Sequence, residues 1–250
     1  MTEAADGVLL IHAFPLDARM WDEQVEDLRS LGWRVAAPSL PGFGDSPAAG
    51  PVMAMGAAAD RCLQAIDAAG IERAVVCGLS MGGYVTFELW RMARQRVAGV
   101  VLANTRSGAD TEQAADARRS LAARLRAEGS TGFLVAAPPP LLAAAPGQGR
   151  WPVVLGMMAD QSPEAIAAAA EGMAERRDST PDLGTIDVPA LVITSDADTL
   201  IPPGVSLEMA DHIAGADAVT LAGVGHLSNL EAPEAFSTAL RSFLGRFTRV

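Results

Sequence analysis

The segment of residues 78–83, Gly-Leu-Ser-Met-Gly-Gly, restricts the possible folds of this chain more than any other feature. It follows an apolar run, residues 74–77, and precedes a helical pattern, so it joins a strand directly to a helix. Such a sharp turn forces its central residue, Ser80, into a sparsely populated backbone conformation and requires small neighbours. The pattern therefore predicts a serine hydroxyl exposed above a sheet, with the Met81 backbone N–H at the positive end of a helix.

A nucleophilic serine needs a base within hydrogen-bond reach, usually a histidine that a carboxylate holds in one tautomer. The chain contains three histidines. His226 lies in a glycine-flanked loop after the apolar residues 218–221, which places it at a strand end and makes it the predicted base. His212 lies within a helical pattern, where a solvated or capping histidine is expected, so we do not assign it to the site.

Two aspartates are candidates for the carboxylate that orients the histidine. Residues 190–194 form an apolar run typical of a buried parallel strand, and Asp196 and Asp198 follow at its carboxyl end. Catalytic groups of open α/β sheets gather at this edge. Either aspartate is also compatible with an ordinary turn or helix-capping role, so spacing alone does not distinguish them.

The order serine, aspartate, histidine along the chain resembles that of the α/β-hydrolase superfamily, and the resemblance covers nearly all of both core segments. Residues 9–15, Leu-Leu-Ile-His-Ala-Phe-Pro, resemble the family's oxyanion segment after its third strand, with Ala13 in place of the common glycine. The resemblance implies that the backbone N–H groups of Phe14 and Met81 form the oxyanion hole. It also implies that His12 is structural.

The loops around the aspartates and His226 extend the resemblance. Residues 192–202 resemble the family's acid loop, in which the aspartate four residues before a proline belongs to the triad, and this implies Asp198 rather than Asp196. Residues 225–236 resemble the histidine loop of 3-oxoadipate enol-lactonases, arylesterases and meta-cleavage-product hydrolases. The resemblance thus implies a catalytic triad of Ser80, Asp198 and His226.

Strand-like runs alternate with helical patterns, which predicts an α/β fold with a doubly wound, mostly parallel sheet. The strand-like runs lie near residues 7–13, 33–37, 73–78, 97–103, 189–194 and 217–221. The helical patterns lie near residues 18–31, 55–70, 81–94, 203–214 and 233–246. Together with the resemblance, this alternation predicts an α/β-hydrolase core formed by residues 1–107 and 184–250.

Residues 108–183 interrupt this alternation, because they contain four short helical stretches separated by proline and glycine and no convincing strand. We call them the insertion, and the resemblance implies a helical lid (cap) subdomain after the family's sixth strand. In its first helix an apolar stripe predicts the buried face, and Arg118 is expected mostly off that face. The stripe consists of Ala114, Ala117, Leu121 and Leu125. Four further residues are predicted either to line an apolar cavity or, preferably, to form the insertion's own core: Trp151, Met157, Met158 and Met173.

Composition and missing motifs narrow the functional classes. The formal charge of −11 over 250 residues argues against nucleic acid and against an anionic membrane surface. No basic leader pattern and no apolar stretch near the roughly 20 residues of a bilayer helix is present, so we expect a cytoplasmic protein. Cys62 and Cys77 have no zinc-type spacing and are expected to be buried thiols, and nucleotide and zinc-protease motifs are absent. We expect no cofactor and no metal.

The sequence predicts a cofactor-independent serine hydrolase that cleaves a small carboxylic ester or lactone through an acyl-enzyme on Ser80. One alternative keeps the same triad but hydrolyses a carbon–carbon bond or catalyses perhydrolysis. A second alternative is a non-catalytic ligand-binding member of the same fold. Substrate identity, stereoselectivity, oligomeric state and the isomer of the Phe14–Pro15 bond stay open, because they depend on packing that residue spacing does not define.

Overall fold

The computed structural model describes residues 3–249, which contain a six-stranded parallel sheet and a separate parallel pair of short strands. The strands are β1 Glu3–Ala5, β2 Gly7–Ile11, β3 Arg34–Ala36, β4 Ala74–Leu79, β5 Val97–Ala103, β6 Ala190–Ser195, β7 Asp217–Leu221 and β8 Phe247–Arg249. The large sheet has the order β3-β2-β4-β5-β6-β7, and β1 pairs with β8. Each predicted run overlaps one strand of the large sheet to within two residues at either end, whereas β1 and β8 correspond to no predicted run.

Helices connect the strands, as parallel pairing requires. The α-helices are α1 Asp22–Ser30, α2 Met55–Ala68, α3 Met81–Ala93, α4 Glu112–Glu128, α5 Gly132–Ala136, α6 Trp151–Asp160, α7 Pro163–Ala174, α8 Pro203–His212, α9 Ser228–Glu231 and α10 Pro233–Leu244. The predicted patterns near 18–31, 55–70, 81–94, 203–214 and 233–246 correspond to α1, α2, α3, α8 and α10. The short helix α9 lies in the predicted histidine loop.

The large sheet separates two hydrophobic cores, one on each face. Successive residues of β4 alternate between them, since Val75 and Cys77 pack on one face and Val76 packs on the other. Every residue of β4 is buried, as expected for a strand covered on both sides. The side chains of α10 pack on the face that contains Cys77, where the rings of Trp21 and Phe236 lie 5.7 Å apart.

The insertion contributes α4, α5, α6 and α7, in agreement with the four helical stretches expected there. It follows β5, the fifth strand of the described residues, and not the sixth as in the family's count, because residues 7–11 are the second strand here rather than the third. The buried face of α4 also differs from the predicted stripe. Ala115, Ala122 and Leu125 are buried, whereas Ala117 is exposed, so the partly buried Arg118 lies on the inward side of this helix.

A backbone contact fixes α7 against the core. The N–H of Met53 donates to the carbonyl oxygen of Ala168 over 3.0 Å. One turn later, a Cβ atom added to Gly172 would lie 1.8 Å from the carbonyl oxygen of Met53, so only glycine permits this approach. The insertion is therefore held close to the core at a specific point along α7.

This contact predicts that Gly172→Ala lowers the free energy of unfolding by more than about 2 kcal/mol, because the backbone of α7 must shift away from Met53. Gly156 in α6 is the matched control, since a Cβ atom there meets nothing within 4 Å. Gly156→Ala should raise the free energy of unfolding by about 0.5–1 kcal/mol. Urea titrations of both variants measure these changes. Equal changes in the free energy of unfolding for the two substitutions would contradict the close contact between Gly172 and Met53.

Candidate active site

Ser80 occupies the sharp turn between β4 and α3, as the glycine spacing predicts. Its backbone has φ 56° and ψ −113°, in a region that residues other than glycine rarely adopt. A Cβ atom on Gly78 would lie 2.2 Å from the carbonyl oxygen of Gly82, and one on Gly82 would lie 2.2 Å from that of Ile11. Small neighbours are therefore required because backbone segments touch on both sides of the serine.

The carboxyl end of β5 stabilises this turn. The N–H of Ser80 donates to the carbonyl oxygen of Ala103 over 2.9 Å. The carbonyl oxygen of Ser80 accepts hydrogen bonds from the Thr105 hydroxyl, at 2.7 Å, and from the Gly83 N–H, at 2.9 Å. Both backbone groups of the strained residue are thus satisfied, which offsets part of the conformational cost.

The structure brings Ser80, His226 and Asp198 together in one hydrogen-bonded chain. The Nε2 atom of His226 lies 2.8 Å from Oγ of Ser80, and its Nδ1 atom lies 2.8 Å from Oδ2 of Asp198. The side chains of His226 and Asp198 are 4% and 0% exposed, so the pair is shielded from water. His212 is exposed at the end of α8 and is not part of this arrangement.

The two candidate aspartates have different partners. Asp198 contacts His226, and its second oxygen accepts the backbone N–H groups of Leu200 and Ile201, each at 2.9 Å. Asp196 is exposed and accepts the N–H of Gly223 instead. Burial alone would raise the pKa of Asp198, but the hydrogen bond and charge of His226, with the donors around the carboxylate, hold that pKa below its ordinary value.

Sequence reasoning missed Asn104, which connects the carboxylate to its surroundings. Its side-chain nitrogen donates to Oδ2 of Asp198 and to Oγ of Ser195, both over 3.0 Å, and its oxygen accepts from the Ser228 hydroxyl at 2.6 Å. Asn104 is buried and has φ 43°, a conformation that asparagine tolerates better than most residues. The available signal was an asparagine directly after an apolar strand, at the edge where the site forms.

The predicted oxyanion segment lies against the start of α3. The approach of Gly82 to the carbonyl oxygen of Ile11 places the two segments in contact, and the Phe14–Pro15 peptide bond is cis. Among the described residues, no protein acceptor takes the backbone N–H of Phe14 or Met81.

His12 is completely buried beside this segment. Its Nδ1 atom lies 3.0 Å from the carbonyl oxygen of Ala13, and its Nε2 atom accepts the backbone N–H of Leu40 at 2.9 Å. Burial lowers the pKa of His12 from 6.5 to about 4, so the ring is neutral at physiological pH. The residue links two loops, in agreement with the structural role that the sequence suggested.

Ser80 and His226 open into a cavity of about 410 Å³. Half of its described lining comes from the insertion and the rest from the core. The lining residues are Phe14, Pro15, Ser80, Tyr84, Arg106, Arg118, Leu121, Leu134, Ala137, Pro139, Leu141, Met158, Met173, Leu200, Ile201 and His226. Of the four buried residues with two predicted roles, Met158 and Met173 line this cavity, whereas Trp151 and Met157 pack without lining it.

Glu231 joins the insertion to the loop that carries His226. One of its carboxylate oxygens accepts the N–H groups of Ala143, at 3.0 Å, and Gly225, at 2.6 Å, and the other accepts that of Ala144 at 2.9 Å. A Cβ atom on Gly225 would lie 2.4 Å from the nitrogen of Ala143. The cavity wall and the histidine loop are therefore held together by one carboxylate and one close backbone contact.

Other features of the described residues add no further site. Cys62 and Cys77 are buried free thiols, and burial raises the pKa of Cys62 to about 12. Residues 3–249 contain no group of three or more histidine, cysteine, aspartate or glutamate side chains that could hold a metal ion. No helix in that range has the length and apolar character needed to cross a membrane.

Comparison with known proteins assigns the family. The model of the alpha/beta hydrolase family matches residues 8–239. The chain belongs to the alpha/beta hydrolase family. The α/β-hydrolase fold and the hydrolase class predicted from the sequence are therefore confirmed.

Several relatives of this alpha/beta hydrolase are named for ester or lactone cleavage. A malate-bound structure of a thermophilic esterase from Thermogutta terrifontis is 38% identical, with a TM-score of 0.91, and the match covers 99% of this chain and 92% of that one. The enol-lactonase from Burkholderia xenovorans LB400 is 32% identical, with a TM-score of 0.84 and coverage of 96% and 92%. The pimeloyl-(acyl-carrier protein) methyl ester esterase of Neisseria meningitidis is 30% identical over 98% of this chain and 95% of its own length.

The buried His12 predicts a pH dependence of the stability of this alpha/beta hydrolase. Between pH 6.5 and about 4 the unfolded chain binds a proton at this residue and the folded protein does not. The contribution of His12 to the free energy of unfolding is therefore complete above pH 6.5, and about 3 kcal/mol of it is lost as the pH falls to 4. Urea titrations at several pH values should show that the free energy of unfolding decreases less with falling pH in His12→Gln than in the wild type. In His212→Gln, at an exposed position, the free energy of unfolding should change with pH as in the wild type. The same pH dependence in both variants would contradict the assignment of this effect to His12.

Proposed function

We propose that this alpha/beta hydrolase cleaves a small carboxylic ester or lactone without a cofactor, through an acyl-enzyme on Ser80. One observation carries the proposal: Oγ of Ser80, the imidazole of His226 and the carboxylate of Asp198 form a continuous chain with 2.8 Å at each step. A serine hydroxyl becomes an effective nucleophile when a positioned base removes its proton during attack.

In the first half-reaction Oγ of Ser80 attacks the carbonyl carbon, and Nε2 of His226 takes the hydroxyl proton. The buried carboxylate of Asp198 stabilises the resulting imidazolium and keeps Nδ1 protonated. The imidazolium then gives its proton to the departing alkoxide, and the acyl group stays on Ser80. In the second half-reaction His226 takes a proton from water, the hydroxide attacks the acyl-enzyme, and the released serine oxygen recovers the proton.

The tetrahedral intermediate carries a negative charge on the former carbonyl oxygen. We propose that the N–H groups of Phe14 and Met81 stabilise it, and their lack of acceptors among the described residues supports this role. Met81 is the first residue of α3, so the positive end of the helix dipole acts in the same direction. Removal of one such donor typically costs about 3 kcal/mol of barrier.

The insertion is proposed to act as the lid of this site and to define the size of the substrate. Its residues Leu121, Leu134 and Met158 form part of the apolar wall of the cavity. A volume of about 410 Å³ suits a small organic molecule and not a polymer. The names of the relatives, which include esterases and an enol-lactonase, support ester or lactone substrates.

This proposal predicts labelling of a single serine by a fluorophosphonate probe. Peptide mapping should find the label on Ser80, and Ser80→Ala should lose both the label and hydrolysis of p-nitrophenyl acetate by at least about 10⁴-fold. Ser120→Ala, at an exposed position on α4, is the matched control and should behave as the wild type. A label on another residue, or residual hydrolysis within tenfold of the wild type in Ser80→Ala, would contradict the proposal.

A further inference from the structure

The cavity above Ser80 has an unexpected charge for this chain. The whole chain has a formal charge of −11, yet the described residues that line the cavity include Arg106 and Arg118 and no aspartate or glutamate. Most of the other lining residues are apolar. A guanidinium in such surroundings is costly unless a carboxylate or another acceptor compensates it.

Arg118 is compensated only in part. Its Nε atom donates to Asp110 over 2.6 Å, but the same carboxylate also pairs with Arg176 at 2.8 Å. The side chains of Asp110 and Arg176 are 4% and 3% exposed, whereas Arg118 keeps 26% of its side-chain surface open. Two guanidinium groups thus share one carboxylate, and the excess positive charge lies on the residue that lines the cavity.

Arg106 has no carboxylate partner among the described residues. Its one protein acceptor there is the carbonyl oxygen of Leu200, at 3.0 Å, and its buried Nε atom has no partner. Arg106 directly follows Thr105, which binds the carbonyl oxygen of Ser80, and Leu200 lies two residues after Asp198. Arg106 is therefore close to the reacting groups along both loops, with most of its five N–H donors unused.

We propose that Arg118 and Arg106 bind a carboxylate that the substrate carries in addition to its scissile ester or lactone bond. The planar guanidinium fork matches the geometry of a carboxylate, and such charge-assisted hydrogen bonds strengthen where water is excluded. The preferred substrates are then anionic: monoesters of small dicarboxylic acids, or lactones with a free carboxylate. This inference rests on the proposed function and specifies its substrate class.

The test compares esters of equal chain length with and without the charge. Monomethyl glutarate and monomethyl adipate are measured against methyl pentanoate and methyl hexanoate, with methanol release as the readout. For the wild type, kcat/KM should favour the anionic member of at least one pair. Arg118→Leu and Arg106→Leu should each lower the ratio of anionic to neutral kcat/KM by about 10- to 100-fold.

Two further variants separate recognition from structural support. Arg118→Lys keeps the positive charge and should recover part of the ratio that Arg118→Leu loses. Arg119→Leu is the matched control, because Arg119 lies next along α4, is 53% exposed and pairs with Asp116 away from the cavity. It should keep the wild-type ratio. A purely structural role for either cavity arginine would lower kcat/KM for both esters equally, and this result would overturn the inference.

Measurements of ligand binding without turnover test the carboxylate site independently of the proposed function. Calorimetric titration of the wild type with glutarate should show binding that Arg118→Leu weakens by about tenfold or more, and the neutral pentanamide, of equal chain length, should bind the wild type more weakly than glutarate does. Equal affinity for glutarate and the neutral pentanamide would overturn the carboxylate site even if esters are hydrolysed. Absence of methanol release from all four esters would instead count against the proposed function, while selective glutarate binding would still support the carboxylate site.

Discussion

The close backbone contact between the end of β2 and the start of α3 determines the geometry of the whole site. A Cβ atom on Gly82 would lie 2.2 Å from the carbonyl oxygen of Ile11, so any side chain there would separate the two segments. The contact brings the Phe14 segment beside the first turn of α3 and holds Ser80 in a backbone conformation that costs about 1–3 kcal/mol. The Ser80 N–H donates to Ala103, and the Ser80 carbonyl oxygen accepts from Thr105 and Gly83; these hydrogen bonds stabilise that conformation. Hydrogen bonds with neighbouring segments thus compensate part of the backbone strain at Ser80.

The same edge of the sheet holds a buried polar network whose members depend on each other. Asp198 receives donors from Leu200, Ile201, Asn104 and His226, and these donors outweigh the effect of burial on its pKa. Asn104 in turn accepts from Ser228, next to the loop that carries His226. Because each polar group here has a partner, the carboxylate and the imidazole have little freedom to rotate. A rigid carboxylate and imidazole beside a strained serine form the kind of arrangement that electrostatic preorganisation requires.

The parts of this structure that follow from local constraints could be predicted from the sequence. Glycine spacing around Ser80 and apolar runs before Asp198 and His226 define strand ends, and parallel strand ends meet at one edge. Asn104 also follows an apolar run, but its role and that of Glu231 depend mostly on partners far away along the chain, which local patterns do not reveal. The buried face of α4 was placed incorrectly for a similar reason. Apolar periodicity assumes that charged residues face water, and Arg118 instead faces a cavity that forms only after the insertion folds onto the core.

The inward position of Arg118 matters because it brings positive charge into the cavity. An arginine on the inward side of a helix loses hydration, and Asp110 compensates it only in part because Arg176 shares that carboxylate. The pKa of Asp110 is raised by burial and lowered more strongly by the two guanidinium groups, so the carboxyl stays ionised and the cluster keeps one net positive charge. Arg106 adds a second positive charge without a carboxylate of its own among the described residues. A protein that is acidic overall but keeps two such charges in the cavity that Ser80 lines offers an anion a local minimum in potential energy, and the surrounding apolar walls weaken the screening of that attraction.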